Sequence, residues 1–181
     1  MRSRGFTLIE LVVGMVVLAI ALTMITSVLT SQTQQQGQLW HQVRAAELGQ
    51  TLLNEIVTRA FDENSPSGNS LQRCDQTGAP ACIAQIPTCP ASGMSSATEE
   101  AQRGQYDDVD DYHCLVESGE SIQSSAGIAL AALYTDYQVQ VQVQYAGSEL
   151  GVANRLVKRI DVTVVTPDGS PLVFSGYRGN W

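Results

Sequence analysis

From Leu11 to Leu29 the chain is built of Leu, Val, Ile, Met and Ala, interrupted only by Gly14, Thr23, Thr26 and Ser27. About 20 apolar residues at 1.5 Å each match the ~30 Å hydrocarbon core of a bilayer, so this pattern predicts a membrane-crossing helix over 6–30. A Gln-rich stretch, 31–42, is polar but still compatible with helix. From Val43 to Phe61 the pattern becomes amphipathic. Leu39, Val43, Ala46, Leu53, Val57 and Ala60 recur at helical spacing with a gap at Gln50, and Leu52, Ile56 and Phe61 widen the stripe. With no proline before Pro66, one helix from Phe6 to Phe61 is expected, about 84 Å long at 1.5 Å per residue. Gly37 and Gly49 are its weak points, each costing roughly 1 kcal/mol against Ala. The breakers at 64–69, Asn-Ser-Pro-Ser-Gly-Asn, stop it, so the amphipathic continuation is placed at 31–63.

The pattern changes twice more. Residues 64–133 have no sustained period and contain all four cysteines, Pro80, Pro87 and Pro90, which predicts a long loop region. From Tyr137 to Tyr145, Tyr or Val alternates with Gln without a fault, so one strand face is buried and the other wet. Leu156–Thr166 repeats the alternation, with Ile160, Val162 and Val164 on one face and Arg159, Asp161 and Thr163 on the other. A Pro167–Ser170 turn leads to a third strand, Leu172–Tyr177. An antiparallel sheet over 134–181 needs an apolar partner, and the amphipathic half of the helix is the one available. The expected class is α+β: a long N-terminal helix packed against an antiparallel β-sheet, with a disulfide-tied loop region between them.

Composition narrows the function. The formal charge is −8 and Lys158 is the single lysine, so no basic field exists to attract phosphates, and nucleic acid is not an expected partner. Cys74, Cys82, Cys89 and Cys114 are even in number and lie behind a membrane segment, which suits disulfides in an oxidising compartment. Three connectivities are open. Cys74–Cys82 with Cys89–Cys114, closing two sequential loops, is favoured over the nested and crossed pairings. A zinc site drawing on His113 and Cys114 is disfavoured, because adjacent ligands fit structural zinc spacing poorly. Asp107, Asp108, Asp110 and Asp111 offer the clustered oxygens that calcium takes, but without the D-x-D-x-D-G spacing a solvated acidic turn is the simpler reading. With only His41 and His113 as histidines, no Ser-His-Asp or Cys-His centre is in sight, and no catalytic site or resident cofactor is expected.

The start of the chain carries the most specific signal. Arg2 and Arg4 precede Gly5, and GFTLIE over 5–10 places the carboxylate of Glu10 inside the apolar run. On insertion scales a charge at the helix centre costs roughly 2.5–3.5 kcal/mol, so Glu10 needs a reason to be there. The leading arginines favour a cytoplasmic N-terminus and an exported C-terminus. The apolar run is longer than the h-region of a secretory signal, and no small-x-small cleavage site follows it.

The Gly5-Phe6 junction, the short basic leader and Glu10 resemble the processing site of type IV prepilins and pseudopilins. The resemblance implies a leader over 1–5, cleavage between Gly5 and Phe6 by the prepilin peptidase, and N-methylation of Phe6. It further implies an assembly role for Glu10 beside the freed amine of a neighbouring subunit. Two opposite charges stranded in an apolar core each cost several kcal/mol alone, and pairing removes much of that penalty only in the correct register. Helix, loop and sheet in that order is the pilin layout, so the resemblance extends over the chain. The segments RAAELGQ (44–50), DVDDYH (108–113), TPDG (166–169) and YRGNW (177–181) are similar to minor pilins of mannose-sensitive haemagglutinin pili. Many major pilins carry a proline in the mid-membrane helix, where this chain has Ser27. The implied partners are other major and minor pilins, the peptidase and the inner membrane. The implied location is a single-pass inner-membrane protein with a periplasmic head, later part of an extracellular pilus. A minor pseudopilin of a type II secretion system shares every one of these motifs.

Overall fold

The computed structural model describes residues 7–65, 72–90, 100, 102–124 and 127–181, with backbone alone for 28–36 and 38. Helix α1 spans Leu8–Val57. The chain divides into two compact units, 1–40 and 41–181.

In the first unit, α1 carries the stretch Leu8–Ser27, 20 residues long and apolar enough to cross a membrane, with every side chain in it exposed. Its few hydroxyls turn back onto their own helix: Thr23 donates to the Ile20 carbonyl at 2.8 Å, Thr26 to Leu22 at 2.9 Å and Ser27 to Met24 at 2.8 Å. Polar atoms satisfied within the helix add little penalty in hydrocarbon.

The second unit joins the end of α1 to a four-stranded sheet of β1 (Val116–Ser118), β2 (Gln138–Tyr145), β3 (Val157–Val165) and β4 (Pro171–Gly179). They lie in the order β1-β2-β3-β4, every neighbour antiparallel. One short helix, α2 (Ala131–Tyr134), precedes β2. Val141 pairs with Val162 and Val162 with Phe174, so the apolar sets of three strands share one face. The predicted alternation is realised: Val139, Val141, Val143, Ile160, Val162 and Val164 are all buried. At the β3–β4 hairpin, Thr166 and Ser170 close the turn at 3.1 Å and Gly169 takes a φ of +83°, a left-handed conformation that a side chain would strain. The pattern did not predict β1, whose three residues are too few to show a period.

Two expectations about α1 need correction. The helix face against the sheet is Ala45, Leu48, Leu52 and Ile56, with Leu53 beside it, whereas Leu39 and Val43 are exposed. Small residues decide this rotation. Gly49 lies where Phe174 of β4 comes down onto the helix, and Gly176 leaves room for Leu53 and Val57. The helix also ends at Val57, short of Phe61 and of the breaker cluster. Tertiary pairing captures the next backbone groups: Ala60 N–H donates to the Asp107 carbonyl at 3.0 Å, and Val109 N–H to the Ala60 carbonyl at 3.1 Å. Thr58 Oγ1 satisfies the Glu55 carbonyl at 2.7 Å, as a helix end requires.

Candidate functional site

The N-terminal half of the candidate site is the start of α1. Gly5 and Phe6 lie outside the described residues. Helical bonding begins at the Thr7 carbonyl, which accepts from Glu10 N–H at 3.1 Å and Leu11 N–H at 3.3 Å. Glu10 therefore occupies the first turn, where the helix dipole favours a carboxylate, and its side chain is exposed. An exposed apolar helix of this length presents one carboxylate at the end nearest the chain start.

In the head, the cysteines form the disulfides Cys74–Cys82 and Cys89–Cys114, with Cα atoms 4.9 and 5.4 Å apart. Cys74–Cys82 closes a short loop within the loop region, and Cys89–Cys114 ties residue 89 to a residue bonded to β2. Cys74 and Cys82 pack with Phe61 and Tyr145 in a small apolar cluster apart from the main core. Cys114, at φ +65°, donates its N–H to the Val141 carbonyl of β2 at 3.0 Å. His113 next to it is a hydrogen-bonding residue. Val143 N–H donates to Nδ1 at 3.0 Å, which assigns the ring proton to Nε2, and Nε2–H donates to the Pro87 carbonyl at 2.6 Å. Burial holds its pKa below the usual histidine value. Cys89, His113 and Cys114 lie within 4.8 Å of one another, but both sulfurs are consumed by the disulfide.

The structure does not bring the four aspartates together as one ligand set. Asp108 Oδ1 accepts from Asp110 N–H at 2.6 Å and Asp111 N–H at 3.2 Å. Asp111 Oδ2 in turn accepts from Asp107 and Asp108 N–H at 3.0 and 3.2 Å. These two buried carboxylates build the turn they sit in. Asp107 lies with Glu63 and Glu100, and Asp110 points elsewhere, to Lys158. Burial, with Asp110 and Asp111 nearby, pushes the Asp108 carboxyl up to about 7. A hydrogen bond with Asp111, burial and the surrounding carboxylates likewise raise Glu100 to about 7.

Two buried charge clusters escaped the sequence reading. Lys158 on β3 is fully buried, its Nζ donating to the Phe61 carbonyl at 2.6 Å, Asp110 Oδ2 at 2.5 Å and Asp62 Oδ2 at 3.3 Å. The Phe61 ring lies 4.3 Å from the same ammonium. The signal was present: Lys158 is in phase with Ile160, Val162 and Val164, so it had to face the core. Arg103 bridges Glu117 at 2.7 Å and Glu55 of α1 at 3.2 Å, and Tyr112 donates to Glu55 at 2.8 Å. No local pattern could have announced that cluster, because its bonded pairs are 14 to 57 residues apart. The first cluster fastens the loop region to β3 and the second fastens it to α1.

Residues 1–26 match the family model described as the prokaryotic N-terminal methylation motif. No curated protein and no solved structure matches the chain. Together the motif, the exposed apolar helix and the disulfide-tied α+β head fit a pilin-like architecture, and the motif supports a type IV pilin or pseudopilin.

Proposed function

We propose that this chain is a minor pilin, a structural component that helps to initiate or cap a type IV pilus after its leader is removed. The observation that carries this reading is the first turn of α1. The apolar stretch Leu8–Ser27, exposed throughout, has a single carboxylate, Glu10, inside a matched methylation motif. In the membrane such a helix is solvated by lipid. In a filament, neighbouring helices replace the lipid, and Glu10 meets the freed Phe6 amine of another subunit. The motif also points to a structural protein.

Mass spectrometry of the membrane-extracted protein tests the processing step: residues 1–5 should be missing and Phe6 should carry one methyl group. An intact N-terminus refutes the reading. Glu10→Val should leave cleavage unchanged and reduce incorporation into filaments at least severalfold; normal incorporation removes the charge-pairing argument. Deletion of the gene separates pilus from secretion pseudopilus, by loss of surface filaments in the first case and of a secreted substrate in the second.

A further inference from the structure

Strand β2 is covered on one side along only part of its length. β1 pairs with Gln138–Gln140, and Val141 still exchanges bonds of 3.0 Å with Leu115 and Cys114. At Val143 backbone pairing ends, and its N–H is capped by the His113 imidazole. Ala146 N–H donates to the Val157 carbonyl, so even-numbered residues of β2 bond to β3 and odd-numbered ones turn their N–H and C=O groups the other way. The Val143 carbonyl and both backbone groups of Tyr145 therefore face a side where, among the described residues, no strand lies.

A cavity of about 590 Å³ opens there, between Gln142–Tyr145 and the segment 84–89, with Asn154 and Arg155 at its end. Its far wall is held in place without any occupant. Tyr145 OH donates to the Ile83 carbonyl at 2.6 Å, His113 to Pro87 at 2.6 Å and Arg155 to the Cys82 carbonyl at 2.8 Å, while Cys89–Cys114 anchors the segment's end. Among the described residues no Asp or Glu lines the cavity, although the chain as a whole is at −8. Its cation is Arg155, whose Nε is buried and has no partner among the described residues. Asp75 reaches one of the arginine's amino groups at 3.3 Å, from outside the cavity lining.

We infer that this slot receives an extended, acidic peptide segment of a neighbouring filament subunit, which adds to the open edge of β2 and sets a carboxylate against Arg155. An unpaired strand edge is a template for another strand. The repeat from Val143 to Tyr145 spans about 7 Å, so three or four residues of an extended chain suffice. A further strand pairs the Tyr145 amide and carbonyl in the geometry of the ladder itself. A guanidinium at the end of a lining that has no carboxylate among the described residues favours an acidic partner.

The inference rests on the pilin reading, and hydrogen exchange resolved to single amides tests it on the processed full chain, in detergent and in purified filaments. The Tyr145 amide should exchange quickly in the isolated subunit and at least a hundredfold more slowly in filaments, with the Val141 amide slow in both. Protection of Tyr145 already in the isolated subunit means that the slot is closed by the chain itself and overturns the inference. Unchanged fast exchange in filaments that contain the subunit overturns it as well. Absence of the subunit from filaments is the distinct result that removes the pilin reading, and this inference with it. Thr88→Trp, which fills the slot from its rim, should leave leader cleavage intact and lower incorporation severalfold; wild-type incorporation counts against the slot.

Discussion

Replacing Lys158 with Met isolates the largest electrostatic debt in the head. The ammonium is fully buried with Asp62, also fully buried, and with Asp110 at 2.5 Å. Met fills much of the lysine stem's volume, so the packing loss is small. What disappears is the cation between two carboxylates, together with the donor to the Phe61 carbonyl. Asp62 keeps the N–H groups of Asn64 and Ile83 at 3.1 and 2.9 Å, whereas Asp110 Oδ1 is already without a partner among the described residues. Breaking a buried pair from one side costs about 3–5 kcal/mol, a large share of the 5–15 kcal/mol available to an ordinary domain. Urea unfolding of the detergent-solubilised protein, followed by tyrosine near-UV dichroism, should show that loss at pH 7. The loss should shrink on acidification. Burial holds the Asp110 carboxyl above its ordinary 3.8 and Lys158 pulls it down, so without Lys158 it rises further. The penalty is then present above that raised value and relieved as pH falls towards 3.8, where a proton takes the place of the ammonium. A loss below about 1 kcal/mol at pH 7, or one unchanged at pH 4, refutes this reasoning.

Asp108 makes the head's stability depend on pH in a defined direction. Its folded carboxyl titrates at about 7 against an ordinary 3.8, so the fold holds an extra proton between those values and loses stability as pH rises through them. Asp108→Asn keeps the Oδ1 acceptor for Asp110 and Asp111 and should gain on the order of 1–3 kcal/mol over wild type at pH 8, converging with it below pH 4 in thermal melts. Gly49→Ala sets helix propensity against packing. The new methyl would collide with the Phe174 ring and lie 3.1 Å from Val164 Cγ2, so a net loss of about 1 kcal/mol is expected despite the better helix former. Gly37→Ala, with nothing within 4 Å of its added carbon, should instead gain up to about 1 kcal/mol, and equal effects at the two sites would disprove the packing argument.

Local pattern was sufficient for the elements whose side chains repeat with a period. The apolar run shows the anchor helix, the Tyr/Val–Gln alternation shows β2, and Ile160–Val164 with its polar partners shows β3. The methylation motif, too, is legible in six adjacent residues, because a peptidase reads chain, not fold. Alternation even placed Lys158 on the core face, although it could not say what would neutralise it. That answer needs Asp62 and Asp110, 96 and 48 residues away.

Tertiary structure decided the rest, for reasons of distance and volume. Which helix stripe is buried follows from where Gly49 admits Phe174, a contact between residues far apart in the chain. The end of α1 follows from backbone bonds between Ala60 and the segment 107–109, which outweigh local helix preference. The acidic run looked like one feature in sequence and becomes three: a self-bonded turn, a partner for Lys158 and an outward carboxylate. The open edge of β2 was wholly hidden, since a strand's pattern records which faces are buried and says nothing of where its neighbour stops. Sequence alone determined the apolar helix and its methylation motif; the fold decided which strand edges are paired and which are left open.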